Sequence, residues 1–313
     1  MKNYHIEDIQ QAKEKLKPYI HRTPVLQSRL INDLTGCQLY FKCENFQRAG
    51  AFKMRGAMHK ILSLSEVQRS KGVVTHSSGN FGQALALGAQ LLHIPTTIIM
   101  PENAPQVKKD AVAAYGANII ECESHIEARE AGVEAFQKIH HATFCHPYND
   151  REVILGNSTA AQELIEDFDL DDIIAPVGGG GLMSGTAISY HLLSPHTLIY
   201  GAEPTNADDA FRSLRDGFIH PSLKPNTIAD GLLTNLGDQT FPILQELLQK
   251  IFLVDDKEIL VAMKLIWERM KIIVEPSSAI TLAAIIKNPE FFSGRRVGLI
   301  LSGGNVDLKK YFQ

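Results

Sequence analysis

The sequence holds one tryptophan and four cysteines among its 313 residues. Cys37, Cys43, Cys122 and Cys145 lack the close pairing of a zinc site. A secretory leader is also missing, because Met1-Lys2-Asn3-Tyr4-His5 passes straight into a polar amphipathic segment. Free thiols in a cytoplasmic protein are therefore expected rather than a disulfide framework. Nowhere is there a run of about 18 apolar residues, so no membrane span is expected. There is no basic stripe: 31 Lys and Arg stand against 35 Asp and Glu, for a net charge of -4. Nucleic acid is accordingly not an expected partner. No Gly-Lys-Ser/Thr follows the glycine-rich stretch, and no Gly-x-Gly-x-x-Gly follows the first strand pattern. Those absences exclude a nucleoside-triphosphate P-loop and a dinucleotide fingerprint.

What is there is an ordinary globular composition, 44% hydrophobic and 21% charged. The length suits one large or two medium domains. Short β-branched runs read as strands at 39–43, 72–76, 96–100, 118–121, 172–177, 198–203 and 296–301. Helical periods fill 83–92, 106–115, 126–139 and 158–167 between them. This alternation predicts an α/β fold, with parallel sheets covered by helices on both faces. Pro101-Glu102-Asn103-Ala104-Pro105 reads as a strand-to-helix turn, with Pro105 in the first helical turn. The polar stretch 143–150, which contains Pro147, reads as a hinge.

Four separated segments can carry chemistry together. Gly178-Gly179-Gly180-Gly181 links a buried strand to a helix, where consecutive backbone N–H groups can converge on a phosphate. Ser77-Ser78-Gly79-Asn80 follows another strand and can receive a carboxylate, or simply cap a helix. Ser302-Gly303-Gly304-Asn305 ends a third strand, where ligands of parallel α/β folds bind. Lys53 precedes a helical stretch. Alone it reads as a surface lysine. With the other three segments it supplies the amine that a lysine-bound cofactor needs.

In this order the segments resemble the fold-type II pyridoxal-phosphate enzymes, which are tryptophan synthase β-like. Within them, the serine racemase and serine/threonine dehydratase branch is the nearest likeness. The similarity runs from His21-Arg22-Thr23-Pro24-Val25 to Ser302-Gly303-Gly304-Asn305-Val306-Asp307. Phe52-Lys53-Met54-Arg55-Gly56-Ala57 matches the family's Schiff-base lysine motif, which continues differently in cysteine synthases. The resemblance implies two parallel-sheet α/β domains with pyridoxal 5'-phosphate in the cleft. Residues 1–71 and 147–313 would form the large domain, and 72–146 the small one. A homodimer is implied as well. The chain stops soon after Asn305, which points away from threonine deaminases with an added regulatory domain.

Residue by residue, the resemblance implies that Lys53 carries the cofactor and acts as base on one face. Phe52 packs beside the cofactor ring, Asn80 bonds its phenolic oxygen, and Ser302 meets the pyridine nitrogen. The backbone of Gly178, Gly179, Gly180, Gly181 and Leu182 holds the phosphate. Ser77, Ser78, Asn80 and Phe81 receive the substrate, and Ser78 is the acid–base group on the opposite face. Glu203, the Ala207 carbonyl and Asp209 match a divalent-cation site for Mg2+ or Ca2+. The implied reaction is racemisation of L-serine together with its dehydration to pyruvate and ammonia. A threonine, serine or 3-hydroxyaspartate dehydratase without racemase activity is the alternative. A β-replacement enzyme and a non-catalytic binding protein stand further off. The chain departs from the family pattern at Ala51, Phe81 and Tyr148. It also departs in Gly156-Asn157-Ser158-Thr159 and in Glu275-Pro276-Ser277-Ser278-Ala279.

Overall fold

The computed structural model describes residues 4–104 and 106–311, so Pro105 lies outside the described residues. The strands are β1 (Val25–Leu26), β2 (Gln38–Cys43), β3 (Val73–His76), β4 (Thr96–Pro101) and β5 (Asn118–Cys122). They continue as β6 (Thr143–Phe144), β7 (Asp172–Pro176), β8 (Leu198–Pro204), β9 (Lys250–Val254) and β10 (Arg296–Leu301). The first seven helices are α1 (Ile6–Leu16), α2 (Arg29–Thr35), α3 (Lys53–Ser63), α4 (Glu66–Lys71), α5 (Asn80–Leu91), α6 (Gln106–Ala114) and α7 (Ile126–His140). Then come α8 (Arg151–Asp167), α9 (Gly181–Leu193), α10 (Asp209–Asp216), α11 (Thr240–Leu247), α12 (Asp256–Met270), α13 (Pro276–Lys287) and α14 (Pro289–Phe292).

These strands build two sheets. One has six strands in the order β1-β2-β10-β7-β8-β9, parallel except for β1. The other has four parallel strands in the order β5-β4-β3-β6. Every expected strand forms with ends within one residue. The short β1 and β6 carry too little pattern to be seen in sequence. β9 follows the apolar end of α11 with no Gly or Pro between them, so its run blends into helix. Helix α8 begins seven residues before the expected 158, because Asp150 caps it by accepting the N–H groups of Glu152 and Val153. Its middle is buried all round, from Val153 to Leu164, which hides the helical period.

Alternate strand residues feed cores on opposite faces. In β10, Val297, Leu299 and Leu301 pack toward α2, α12 and α13, whereas Ile300 packs toward α1, α8 and α9. The smaller sheet is covered likewise, with α3 and α5 on one face and α7 on the other. Met54, Ala57, Met58 and Ile61 of α3 belong to the small sheet's core, although they precede it in sequence. Helix α3 also lies against α8: a Cβ on Gly156 would come within 2.4 Å of the Arg55 carbonyl oxygen. No helix among the described residues is long and apolar enough to cross a membrane.

Candidate active site

A cavity of about 370 Å³ opens where β3, β4, β7 and β10 end. Its walls contain Phe52, Lys53, Ser77, Ser78, Asn80 and Phe81 from the N-terminal half of the chain. The opposite walls contain Gly178, Gly179, Gly180, Gly181, Leu182 and Ser302. The structure therefore brings all the expected cofactor and substrate positions to one place. The expected cation residues Glu203, Ala207 and Asp209 are not part of its lining.

Backbone pairing explains the convergence. Ala51 bridges Gly303, Phe52 donates its N–H to the Ser302 carbonyl at 2.9 Å, and Gly304 donates to Gly50 at 2.9 Å. Glu275 donates its backbone N–H to Gly303 at 3.0 Å. Lys53 thus enters α3 beside the end of β10. Two residues on, Arg55 is fully buried and anchors that helix. It meets Glu44 at 2.7 Å and Glu163 at 2.8 Å, and Lys42 meets Glu163 at 2.6 Å. Two buried cations against two carboxylates leave the cluster neutral, which the low dielectric demands.

The Lys53 amine donates to the Pro147 carbonyl at 2.8 Å and lies 5.1 Å and 5.7 Å from the ring centres of Phe52 and Phe81. Burial pulls its pKa down to about 8, while Glu275 acts in the opposite sense. A far larger share of this amine is therefore unprotonated near neutrality than in an ordinary lysine. Asn80 donates to both Glu275 oxygens and accepts from Asn305 Nδ2 at 3.0 Å. Ser302 is buried and shares a 3.1 Å hydrogen bond with Ser278.

The glycine loop fits a phosphate. No described hydrogen bond is donated by the backbone N–H of Gly178, Gly179 or Gly180, and helix α9 starts at Gly181 with its positive end toward the cavity. Side chains are excluded sterically. A Cβ on Gly179 would stand 2.4 Å from the Tyr148 ring, and Gly180 has φ +86° with Thr240 2.8 Å from its Cβ position. Thr240 fixes the loop further by donating to the Gly179 carbonyl at 2.9 Å.

The two serines differ. Ser77 Oγ accepts the N–H groups of Gly79 and Gly82 at 3.2 Å and 3.1 Å, so it shapes the turn. Ser78 is half-buried on the cavity wall, and its hydroxyl makes no hydrogen bond to another described residue.

Glu203 and Asp209 form a separate, buried acidic spot. Glu203 accepts the N–H groups of Ala210 and Phe211 at 2.8 Å and 2.7 Å. Neither Asp209 oxygen has a partner at hydrogen-bond distance, although the Ser222 hydroxyl is close enough to favour its charge. Burial, then Asp209, raises Glu203 well above the usual carboxylate range, and burial lifts Asp209 to about 6. Two buried carboxylates, one of them with both oxygens unpartnered among the described residues, fit an oxygen-loving cation. No group of three or more His, Cys, Asp or Glu side chains suited to a metal exists among the described residues.

Sequence reasoning missed several residues that the structure puts here. Glu275 was legible only as a departure from the family pattern, yet it holds Asn80. Its signal was a carboxylate directly before Pro276, at the head of a helix with no other charge until Lys287. Arg129 and Thr240 gave no comparable signal, Pro147 reads only as part of a hinge, and Ser278 stands only within the same departing run as Glu275.

Comparison with known proteins agrees with this geometry. The family model described as "Pyridoxal-phosphate dependent enzyme" matches residues 16–303. The chain is 50% identical to a beta-hydroxyaspartate dehydratase of Paracoccus denitrificans, covering 97% of each. It is 51% identical to a serine racemase of Dictyostelium discoideum, covering 97% of this chain and 95% of that one. The structure of maize serine racemase superposes with a TM-score of 0.96 at 44% identity, over 98% of this chain and 95% of that one. A half-buried lysine at a helix start, a side-chain-free glycine cradle and a match across most of the chain lead to one statement: this protein belongs to the pyridoxal-phosphate dependent enzymes, in the fold-type II branch that includes serine racemases.

Proposed function

We propose that the protein acts on L-serine in two ways, racemising it at the α-carbon and dehydrating it to pyruvate and ammonia. The observation that carries this reading is the shared cavity of Lys53 and Ser78. One offers a buried amine with a lowered pKa, the other a hydroxyl with no competing partner. Pyridoxal phosphate, when bound, supplies the electron sink that makes the α-proton removable. Gly178, Gly179, Gly180, Gly181 and Leu182 would hold its phosphate, Asn80 its phenolic oxygen, and Ser302 its ring nitrogen. Phe52 would pack beside its ring.

The chain's own groups then divide the work. The Lys53 amine takes the α-proton. Ser78 returns a proton from the other face, and D-serine results. If the β-hydroxyl leaves as water instead, hydrolysis completes the path to pyruvate and ammonia. The N-terminus of α5 and Ser77 orient the carboxylate, and Phe81 closes that side with an apolar ring. Glu203, Asp209 and Ala207 are read as a structural site for Mg2+ or Ca2+. Residues 72–146 are read as the smaller domain closing on the cavity. The family resemblance also supports a homodimer, and the free cysteines support a cytoplasmic setting.

A second substrate reading has its own observation. Arg129 lines the same cavity, and its Nε has no hydrogen-bond partner among the described residues. A guanidinium there suits a second carboxylate, which favours 3-hydroxyaspartate. Relatives named beta-hydroxyaspartate dehydratase and L-threo-3-hydroxyaspartate ammonia-lyase support it.

The test begins with borohydride reduction of the purified protein loaded with pyridoxal phosphate, followed by peptide mapping. Assays with L-serine and with L-threo-3-hydroxyaspartate then measure D-serine, pyruvate and oxaloacetate. A label on Lys53 and formation of both D-serine and pyruvate are expected. A Lys53→Ala protein that eliminates at the normal rate would overturn the mechanism. An Arg129→Leu protein that keeps its serine rate and loses the dicarboxylate supports the second reading.

A further inference from the structure

The carbonyl that receives the Lys53 amine belongs to a turn built around one side chain. His146 Nδ1 accepts the backbone N–H of Asn149 at 2.9 Å and that of Tyr148 at 3.3 Å. A ring nitrogen accepting N–H groups carries no proton, so the neutral ring holds its hydrogen on Nε2. Pro147, between His146 and Tyr148, has no N–H of its own to place. From the outer side, Asn149 accepts from the Gln239 N–H at 2.9 Å and donates to Asp238 at 2.7 Å. The imidazole is wedged edge-on between Tyr148, with ring centres 4.6 Å apart, and Phe144 at 5.6 Å. Apart from Lys53, the titratable groups that act on it are His76, Asp150 and Asp238.

We propose that His146 is a positioning residue for Lys53. Through Nδ1 it folds residues 147–149 so that the Pro147 carbonyl is a fixed station for the lysine amine whenever that amine is not covalently engaged. The proposal rests on the reading of Lys53 as the reactive amine. A carbonyl accepts a hydrogen bond and takes no proton at neutral pH. It can therefore aim the amine while leaving the nitrogen lone pair free. The same turn sets the Tyr148 ring against Gly179 and the Tyr148 backbone and Cβ against Gly181, so one imidazole governs both the amine and the wall of the phosphate loop. Burial, then His76 and Lys53, pulls the His146 pKa down to about 4, which keeps Nδ1 an acceptor through the neutral range.

The experiment compares wild type with His146→Asn and His146→Phe. Asparagine keeps a side-chain acceptor that can bridge a turn, whereas phenylalanine keeps the ring packing and removes the acceptor. The first readout is the rate at which each apoprotein forms a reducible link with pyridoxal phosphate, from about pH 6 to about pH 9, a span that brackets the Lys53 amine at about 8. Its midpoint reads the state of the Lys53 amine. The second is kcat and KM for pyruvate formation from L-serine by the holoenzymes. His146→Asn should match wild type within about twofold. His146→Phe should shift the midpoint and lower kcat about 10-fold, with KM changed less than about twofold. An unshifted midpoint and kcat in His146→Phe would overturn the proposal, as would equal damage in His146→Asn. If His146→Phe does not fold, 15N NMR of the histidine-labelled wild type decides. An unprotonated Nδ1 on His146 supports the station, and a protonated one overturns it. Failure of the wild-type apoprotein to link the cofactor at Lys53 would remove the functional reading as well, which separates the two failures.

Discussion

Asn80 Nδ2 lies 2.9 Å and 3.0 Å from the two carboxylate oxygens of Glu275, so one amide group spans both. Asn305 completes the set by donating to Asn80 Oδ1. The amide that would meet the cofactor's phenolic oxygen is thus held by residues almost 200 and more than 200 positions away in the chain.

The Glu275 carboxyl is buried, and burial, then Asp230, raises its pKa to about 7. The folded state therefore binds a proton that the unfolded state has released between about pH 4.5 and pH 7. The stability linked to this group is fully present at low pH and is lost as pH rises through that window. Glu275→Gln removes the titration. Urea unfolding of the two apoproteins should show the mutant gaining on wild type from pH 5 to pH 7, by on the order of 3 kcal/mol, and level beyond. Parallel curves would contradict the buried protonation.

Ser78→Ala should separate the two reactions. D-Serine formation is expected to fall about 100-fold or more, the usual scale for loss of a general acid–base group. Pyruvate formation should stay within about threefold, because Lys53 can remove the proton without help from the far face. Both products are measured in one reaction mixture. An equal fall in the two would reduce Ser78 to a binding role.

Gly179→Ala places a methyl group where the Tyr148 ring already sits. The phosphate loop must then move. Titration with pyridoxal phosphate should show affinity reduced at least 10-fold, with stability lowered by about 1–3 kcal/mol. The double change Gly179→Ala with Tyr148→Ala should recover part of both. Recovery would locate the clash at that ring, and its absence would locate it in the loop.

Asp209 keeps two buried oxygens without hydrogen-bond partners. Millimolar Mg2+ or Ca2+ should raise the melting temperature of the wild type, and a chelator should lower it again. Asp209→Asn should melt at a temperature that neither addition changes. A cation response that survives in Asp209→Asn would move the site elsewhere.

The sheets were readable because buried parallel strands print short β-branched runs into the sequence. The 296–301 and 172–177 runs were found almost to the residue for that reason. The glycine loop was readable because only glycine fits so close to Tyr148 and Thr240. The His146–Pro147–Lys53 relation was not. It depends on a ring nitrogen and a main-chain carbonyl, and neither leaves a pattern in residue types. Arg55 stands in the sequence only as one letter of the lysine motif, with no sign of its partners. Only the fold places Glu44, Glu163 and Lys42 around it, from the neighbouring strand and a helix some 100 residues later.

The last strand, β10, lies inside the larger sheet, and β2 and β7 bond to it rather than to each other. A chain emerging from a ribosome can finish the four-stranded sheet once residue 144 is free. The six-stranded sheet stays in two unjoined pieces until 296–301 arrives, because Val297 must find Leu39 on one side and Asp172 on the other. Assembly of this protein is therefore ordered in time, with a late zipper that seals the oldest and newest parts of the chain together. That closing step spans the greatest sequence separation in the sheet, and long-range pairing of this kind is intrinsically slow and leaves strand edges open until it is made.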